Sequence, residues 1–128
     1  MNNLLISSIL LLVIFAATFL FNYLRVRKAV VKLPYGEFRK DLRKMQLIDV
    51  REKEDFEYAH INGARNIPLS QLSFKASSLV KGIPIYLCDK NGTIAPRAAL
   101  TLKKQGFTDI YMLDGGLQSW RENLKSKK

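Results

Sequence analysis

The chain of 128 residues holds one cysteine and one histidine. A lone cysteine, Cys88, excludes an internal disulfide, and with only His60 available no Cys/His cluster exists to hold zinc. No residue pattern calls for a cofactor. Carboxylates are scarce too, 11 against 21 Lys and Arg, for a formal net charge of +10. The basic residues of the second part are scattered among carboxylates and are not interleaved with aromatics, which argues against a nucleic-acid face. There is no internal repeat and no low-complexity tract.

Charge is also absent from the first two dozen residues. From Leu4 to Leu24 the polar residues are Ser7, Ser8, Thr18, Asn22 and Tyr23, and none is charged. An apolar run of about 20 residues is long enough to cross a bilayer as a helix. A cleaved signal peptide would want basic residues before the run and a small-x-small site after it. Met1-Asn2-Asn3 has no Lys or Arg, and Asn22-Tyr23-Leu24-Arg25 is not such a site. The reading is therefore an uncleaved anchor over residues 1–24. Arg25, Arg27, Lys28 and Lys32 follow it, so the positive-inside rule puts the N-terminus outside and the remaining chain in the cytoplasm. Those cations are placed to meet anionic lipid headgroups.

Residues 25–33 read as a basic linker and 34–128 as one domain, which suits a chain of this length. Short apolar stretches alternate with amphipathic ones. Helices are expected over Tyr35–Lys44, Glu52–Tyr58, Ser70–Val80 with Ser70 as cap, and Ala95–Gln105 stopped by Gly106. A last helix is expected to open at Gly115-Gly116 and carry Leu117, Trp120 and Leu124. Strands are expected over Met45–Val50, Arg65–Ile67, Ile83–Leu87 with Cys88 at its end, and Asp109–Leu113. Such alternation implies an α/β fold, a parallel sheet covered on both faces. Ligand sites in these sheets form beyond the carboxyl ends of strands, where Asp49, Cys88 and Asp114 are all expected.

Cys88 stands between a strand and a helix start, across the loop Asp89-Lys90-Asn91-Gly92. A thiol below a helix N-terminus faces unpaired N–H groups that favour the thiolate and can hold a transferred anion. The residues equally allow a small buried hydrophobe there.

Two longer patterns resemble the rhodanese-like domain family over residues 35–124. The first runs Leu47-Ile48-Asp49-Val50-Arg51-Glu52 and on to His60-Ile61-Asn62-Gly63-Ala64-Arg65-Asn66-Ile67-Pro68. The second runs Tyr86-Leu87-Cys88, a glycine-bearing loop, Ala98-Ala99-Leu100, Gly106-Phe107 and Leu113-Asp114-Gly115-Gly116-Leu117-Gln118-Ser119-Trp120. The resemblance implies a three-layer sandwich around a mainly parallel five-stranded sheet. It further implies a cysteine that takes sulfane sulfur as a persulfide and passes it to a thiol or cyanide-like acceptor, the partners being small sulfur donors and acceptors. Cys88 is then the nucleophile. The main chain of Asp89, Lys90, Asn91, Gly92, Thr93 and Ile94 forms the anion cradle, and Arg97 is placed to reach back to it. Asp49 and Arg51 match the family's aspartate and arginine in a supporting role, with Arg51 paired to a carboxylate such as Asp55. His60 is read as a packing and turn residue, and Trp120 as core.

The loop departs from that pattern. Family members often show C-x-x-G-x-R, but counted from Cys88 the glycine comes four residues on and Thr93 stands at the arginine position. In the longer C-x-x-x-x-x-R register of phosphatases of this fold, the position is Ile94. Without the guanidinium clamp a phosphatase is disfavoured. Asp89 beside the thiol also tends to raise its pKa, with Lys90 placed to offset this. Two functions stay open: a membrane-tethered sulfurtransferase working through Cys88, and a weakly active or inactive binding or sensing module on the same fold.

Overall fold

The structure, a computed structural model, describes residues 2–126. Met1 of the expected anchor, and Lys127 and Lys128 at the end of the expected domain, lie outside the described residues. The first element is a continuous helix, α1 (Asn3–Lys28), capped at its start by the Asn2 side chain, which accepts from the Leu4 N–H. Its richest 18-residue window has a mean hydropathy of 2.8, and none of that window is buried against protein. By length and composition it can cross a membrane. A helix of this size reaches about 39 Å, and its charges, Arg25, Arg27 and Lys28, all lie in the last turns.

The rest is a single five-stranded sheet of order β1-β5-β4-β2-β3, every pair parallel. The strands are β1 (Val31–Leu33), β2 (Gln46–Asp49), β3 (Arg65–Asn66), β4 (Ile85–Cys88) and β5 (Ile110–Leu113). The helices between them are α2 (Tyr35–Lys40), α3 (Lys53–Tyr58), α4 (Leu69–Lys75) and α5 (Ala95–Lys104). This is the expected α/β sandwich, with two cores. On one face Ile48, Ile85 and Leu87 meet Leu72 of α4 and Ala95, Ala98, Ala99 and Leu102 of α5. On the other, Leu47, Tyr86, Cys88 and Leu113 meet Phe38 of α2, and Trp120 packs partly buried against them.

Four expectations are corrected. The stretch read as a linker is not one: α1 continues through it to Lys28, Ala29 and Val30 are buried in the core, and Val31–Leu33 forms an edge strand on β5. Alternation is unreadable in a three-residue strand that runs straight on from a helix end and stops at Pro34. The helix expected over Tyr35–Lys44 breaks at Asp41 into a 3-10 turn, Leu42–Lys44. Ser70 is no cap, because Pro68 occupies that position and Leu69 begins the helix. The last expected helix is a single 3-10 turn, Gly116–Ser119, after which Trp120 turns extended and Leu124 is exposed.

Candidate functional site

Beyond the carboxyl ends of β2 and β4, three residues govern the rim: Asp49, Cys88 and Asp89. Asp49 ends β2 in register with Cys88 at the end of β4. Both are fully buried. Successive strand residues face opposite sides of the sheet. Ile85 and Leu87 therefore join the α4/α5 core, whereas Tyr86 and Cys88 join the α2 core. Cys88 thus points away from α5 and belongs to the buried cluster of Phe38, Leu47, Ile61 and Leu113, with the Asp49 carboxylate beside its thiol. The position is the buried end of a strand, facing the α2 core and not the loop mouth. Its main-chain carbonyl accepts from Val50 N–H at 3.1 Å.

Burial is the main reason that the Cys88 thiol is held well above the ordinary cysteine range. The Asp49 charge pushes the same way, Arg51 opposes it, and Asp89 adds to the rise. The environment thus favours the thiol over the thiolate, which is the nucleophilic form. The smaller part of the expectation, Asp89 raising the thiol pKa, agrees with this. The larger part, loop amides gathered around sulfur, does not.

The amides gather around Asp89 instead. The N–H groups of Gly92, Ile94 and Ala95 donate to its carboxylate at 2.7, 2.8 and 2.8 Å. That carboxylate is 1% exposed and serves as the anion at the N-terminus of α5, a site that backbone donors and the helix dipole both favour. Asn91 Oδ1 accepts from the Thr93 N–H and hydroxyl at 3.2 and 2.7 Å, tightening the same turn. Lys90, expected to offset the rise in the thiol pKa, is exposed at the mouth of the loop. The loop is braced from outside by the Gly115-Gly116 turn: Leu117 N–H donates to the Asp89 carbonyl at 2.8 Å. Gly116 has φ +66°, and a Cβ there would stand 2.5 Å from Asn91 N and 2.7 Å from the Asp89 carbonyl oxygen.

This geometry re-registers the motif. Counted from Asp89, the glycine is the third residue on, Gly92, and the position of the arginine is Ile94. The loop is not one residue longer than the C-x-x-G-x-R pattern; it matches it with aspartate where the cysteine stands and isoleucine where the arginine stands. The signal was available in the spacing. It was masked because a cysteine happened to precede the position by one.

Asp49 and Arg51 form one unit. Arg51 Nε and Nη2 donate to the two Asp49 carboxylate oxygens at 3.0 and 2.8 Å, and Nη2 also donates to the Ala59 carbonyl at 2.6 Å. The partner of Arg51 is thus Asp49 and not Asp55. Asn66 Nδ2 bonds the carbonyls of Asp49 and Arg51 at 3.1 and 2.9 Å, locking the corner. His60 stacks on Phe56 with ring centroids 3.9 Å apart, and its Nδ1 lies 2.6 Å from the Phe56 carbonyl. It packs, as expected. Asp114 is exposed in a different hollow with Tyr35 and Gln118, so it does not share the rim with Asp49. Arg97 does not reach back to the loop's anion; it lines a cavity against α1. The hollow at the mouth of the loop, about 240 Å³, is lined by Arg51, Glu52, Asp55, Lys90, Ile94 and the edge of Asp89. Among the described residues no group of three metal-ligating side chains occurs.

Known proteins are similar to this chain in sequence and fold. The family model for the rhodanese-like domain matches residues 35–123. The uncharacterized protein YqhL of Bacillus subtilis (strain 168) is 44% identical over 125 residues, 95% of this chain and 99% of the relative. A thiosulfate sulfurtransferase GlpE of Shewanella oneidensis is 32% identical over 82 residues, 64% of this chain and 81% of the relative. The crystal structure of a rhodanese-like domain protein from Staphylococcus aureus superposes with a TM-score of 0.70, covering 77% of this chain and all of that one at 23% identity, a likeness of fold. With its family pattern spanning most of the length, its sheet order and its strand–loop–helix rim, the chain belongs to the rhodanese-like domain family.

Proposed function

We propose that this chain is a rhodanese-fold binding or sensing module tethered to a membrane, with its anion cradle filled by its own Asp89. The observation that carries this reading is the set of three loop amides donating to the Asp89 carboxylate at 2.7–2.8 Å. A persulfide or a thiosulfate anion needs those same donors. An internal carboxylate, held at high effective concentration, competes with any anion in solution. The loss of the arginine at Ile94 removes the side-chain attraction for a donor anion as well. The rim then serves as a shaped, mixed-charge surface for a partner. The tether is α1, with its N-terminus outside and the domain in the cytoplasm; the basic residues at its carboxyl end support that orientation.

Kinship to proteins named thiosulfate sulfurtransferase supports a second reading, transfer through Cys88. In it the Cys88 thiolate attacks the outer sulfur of thiosulfate, the S–S bond breaks, sulfite leaves with the electron pair, and a persulfide remains. A thiol or cyanide then takes the outer sulfur and regenerates the thiolate. For this, Cys88 must leave the α2 core and deprotonate.

One experiment separates the two. The full chain in detergent is exposed to thiosulfate or a small persulfide, and the Cys88 peptide is weighed. The binding-module reading expects no added sulfur and no thiocyanate on addition of cyanide. One added sulfur on Cys88, with turnover lost in Cys88→Ser, reverses the conclusion.

A further inference from the structure

The cations of the chain's membrane-proximal side converge where none of the sulfur chemistry needs them. Between the end of α1 and the start of α5 lies a cavity of about 550 Å³. Arg27 enters it from the last turn of α1, Lys32 from β1 and Arg97 from α5. The three are exposed, and none has an ion-pair partner among the described residues. No carboxylate lines the cavity; its remaining wall includes Phe19, Tyr23 and Val26. Three like charges brought together by three separate elements, with an apolar wall on one side, lack an anion that also carries an apolar part.

The depth of the cavity names the class. At about 1.5 Å per residue, the twenty residues from Asn3 to Asn22 cover the roughly 30 Å of a hydrocarbon core. The segment Asn22–Lys28 then lies in the headgroup layer, with Phe19 at the acyl boundary below it and Tyr23 at the level where interfacial aromatics settle. Arg27 stands about 12 Å above Phe19 along the helix axis. The cavity thus runs from acyl depth to phosphate depth.

We propose that this cavity seats the phosphate headgroup of an anionic phospholipid, clasped by Arg27, Lys32 and Arg97, with an acyl chain lying on Phe19, Tyr23 and Val26. The inference rests on α1 spanning a bilayer, part of the reading above. A seated lipid ties α5, and with it the loop at Gly92 and Thr93 that lines the same cavity, to the membrane surface.

The test uses the full chain in nanodiscs of phosphatidylcholine, with and without phosphatidylglycerol, followed by native mass spectrometry of the lipids retained on the released protein. Phosphatidylglycerol is expected to be retained in preference to phosphatidylcholine. Arg97→Gln and Lys32→Gln are each expected to lower that preference about fivefold, whereas Lys104→Gln, an exposed cation at the far end of α5, leaves it unchanged. Added inorganic phosphate is expected to leave the lipid in place. Equal retention of the two lipids, or the parent preference in both cavity variants, overturns the assignment while leaving the span intact. Displacement by inorganic phosphate overturns it in favour of a soluble anion. Failure of the chain to enter nanodiscs at all, seen before any lipid is counted, overturns the span and the site together.

Discussion

Replacing Asp89 with alanine should cost the domain about 3–5 kcal/mol of unfolding free energy. The carboxylate accepts three main-chain hydrogen bonds, from Gly92 at 2.7 Å and from Ile94 and Ala95 at 2.8 Å. Hydrogen bonds to a charged group contribute about 1.5–3 kcal/mol each, but they do not add when they share one acceptor. The amides of Gly92 and Ile94 are only partly buried, and water can replace the carboxylate there. Ala95 is fully buried, so its N–H is left bare at a cost of about 1–3 kcal/mol. Removing a carboxylate that is itself 1% exposed returns part of the loss, because its desolvation no longer has to be met. Asp89→Asn keeps one acceptor oxygen but turns an NH₂ toward amide donors, and should fall between the parent and alanine. The assay is urea unfolding of the full chain in non-ionic detergent, followed through Trp120 fluorescence, with hydrogen exchange at Ala95 read in parallel. A variant Asp89→Ala that unfolds within about 1 kcal/mol of the parent and still protects the Ala95 amide would refute the claim that this carboxylate organises the loop.

The other expectations test neighbouring parts of the same argument. Asp89→Cys combined with Ile94→Arg places a thiol under the three amides and restores the guanidinium, so thiosulfate-to-cyanide transfer should rise at least about a hundredfold over the parent; no gain would show that the register assigned to the loop is wrong. Because the Cys88 pKa is raised in the folded chain, its contribution to stability is complete below the unfolded thiol's value and drains away as pH climbs from there toward the folded one. Across that alkaline window the parent should lose about 1.4 kcal/mol per pH unit more than Cys88→Ala, and parallel pH profiles of the two would contradict a buried thiol. Arg51→Ala strands the buried Asp49 carboxylate and should cost about 3–5 kcal/mol in urea unfolding, while a loss under 1 kcal/mol would mean that water already reaches that corner. Gly116→Ala forces a Cβ against the Asn91 amide at a positive φ and should cost about 2–4 kcal/mol; a crystal structure of the variant with the loop unmoved would refute the clash.

Much of this protein was legible in residue order. The uncharged run before Arg25 is long enough to be a spanning helix whatever follows it, because lipid demands only length and apolarity. The alternation of short apolar segments with amphipathic ones was enough for a parallel sheet covered on both faces, and the patterns between Leu47 and Trp120 carried the family resemblance. Tertiary structure decided what local pattern could not. Val31–Leu33 is a strand only because β5 stands beside it; three residues are too few to carry a period of their own. Cys88 and Asp89 are neighbours in a strand end buried from both sides, so hydrophobicity does not alternate there and the face of each side chain is invisible in the sequence. Only the assembled sheet sends the sulfur into the α2 core and the carboxylate to the helix start, and one residue of strand phase separates the two environments.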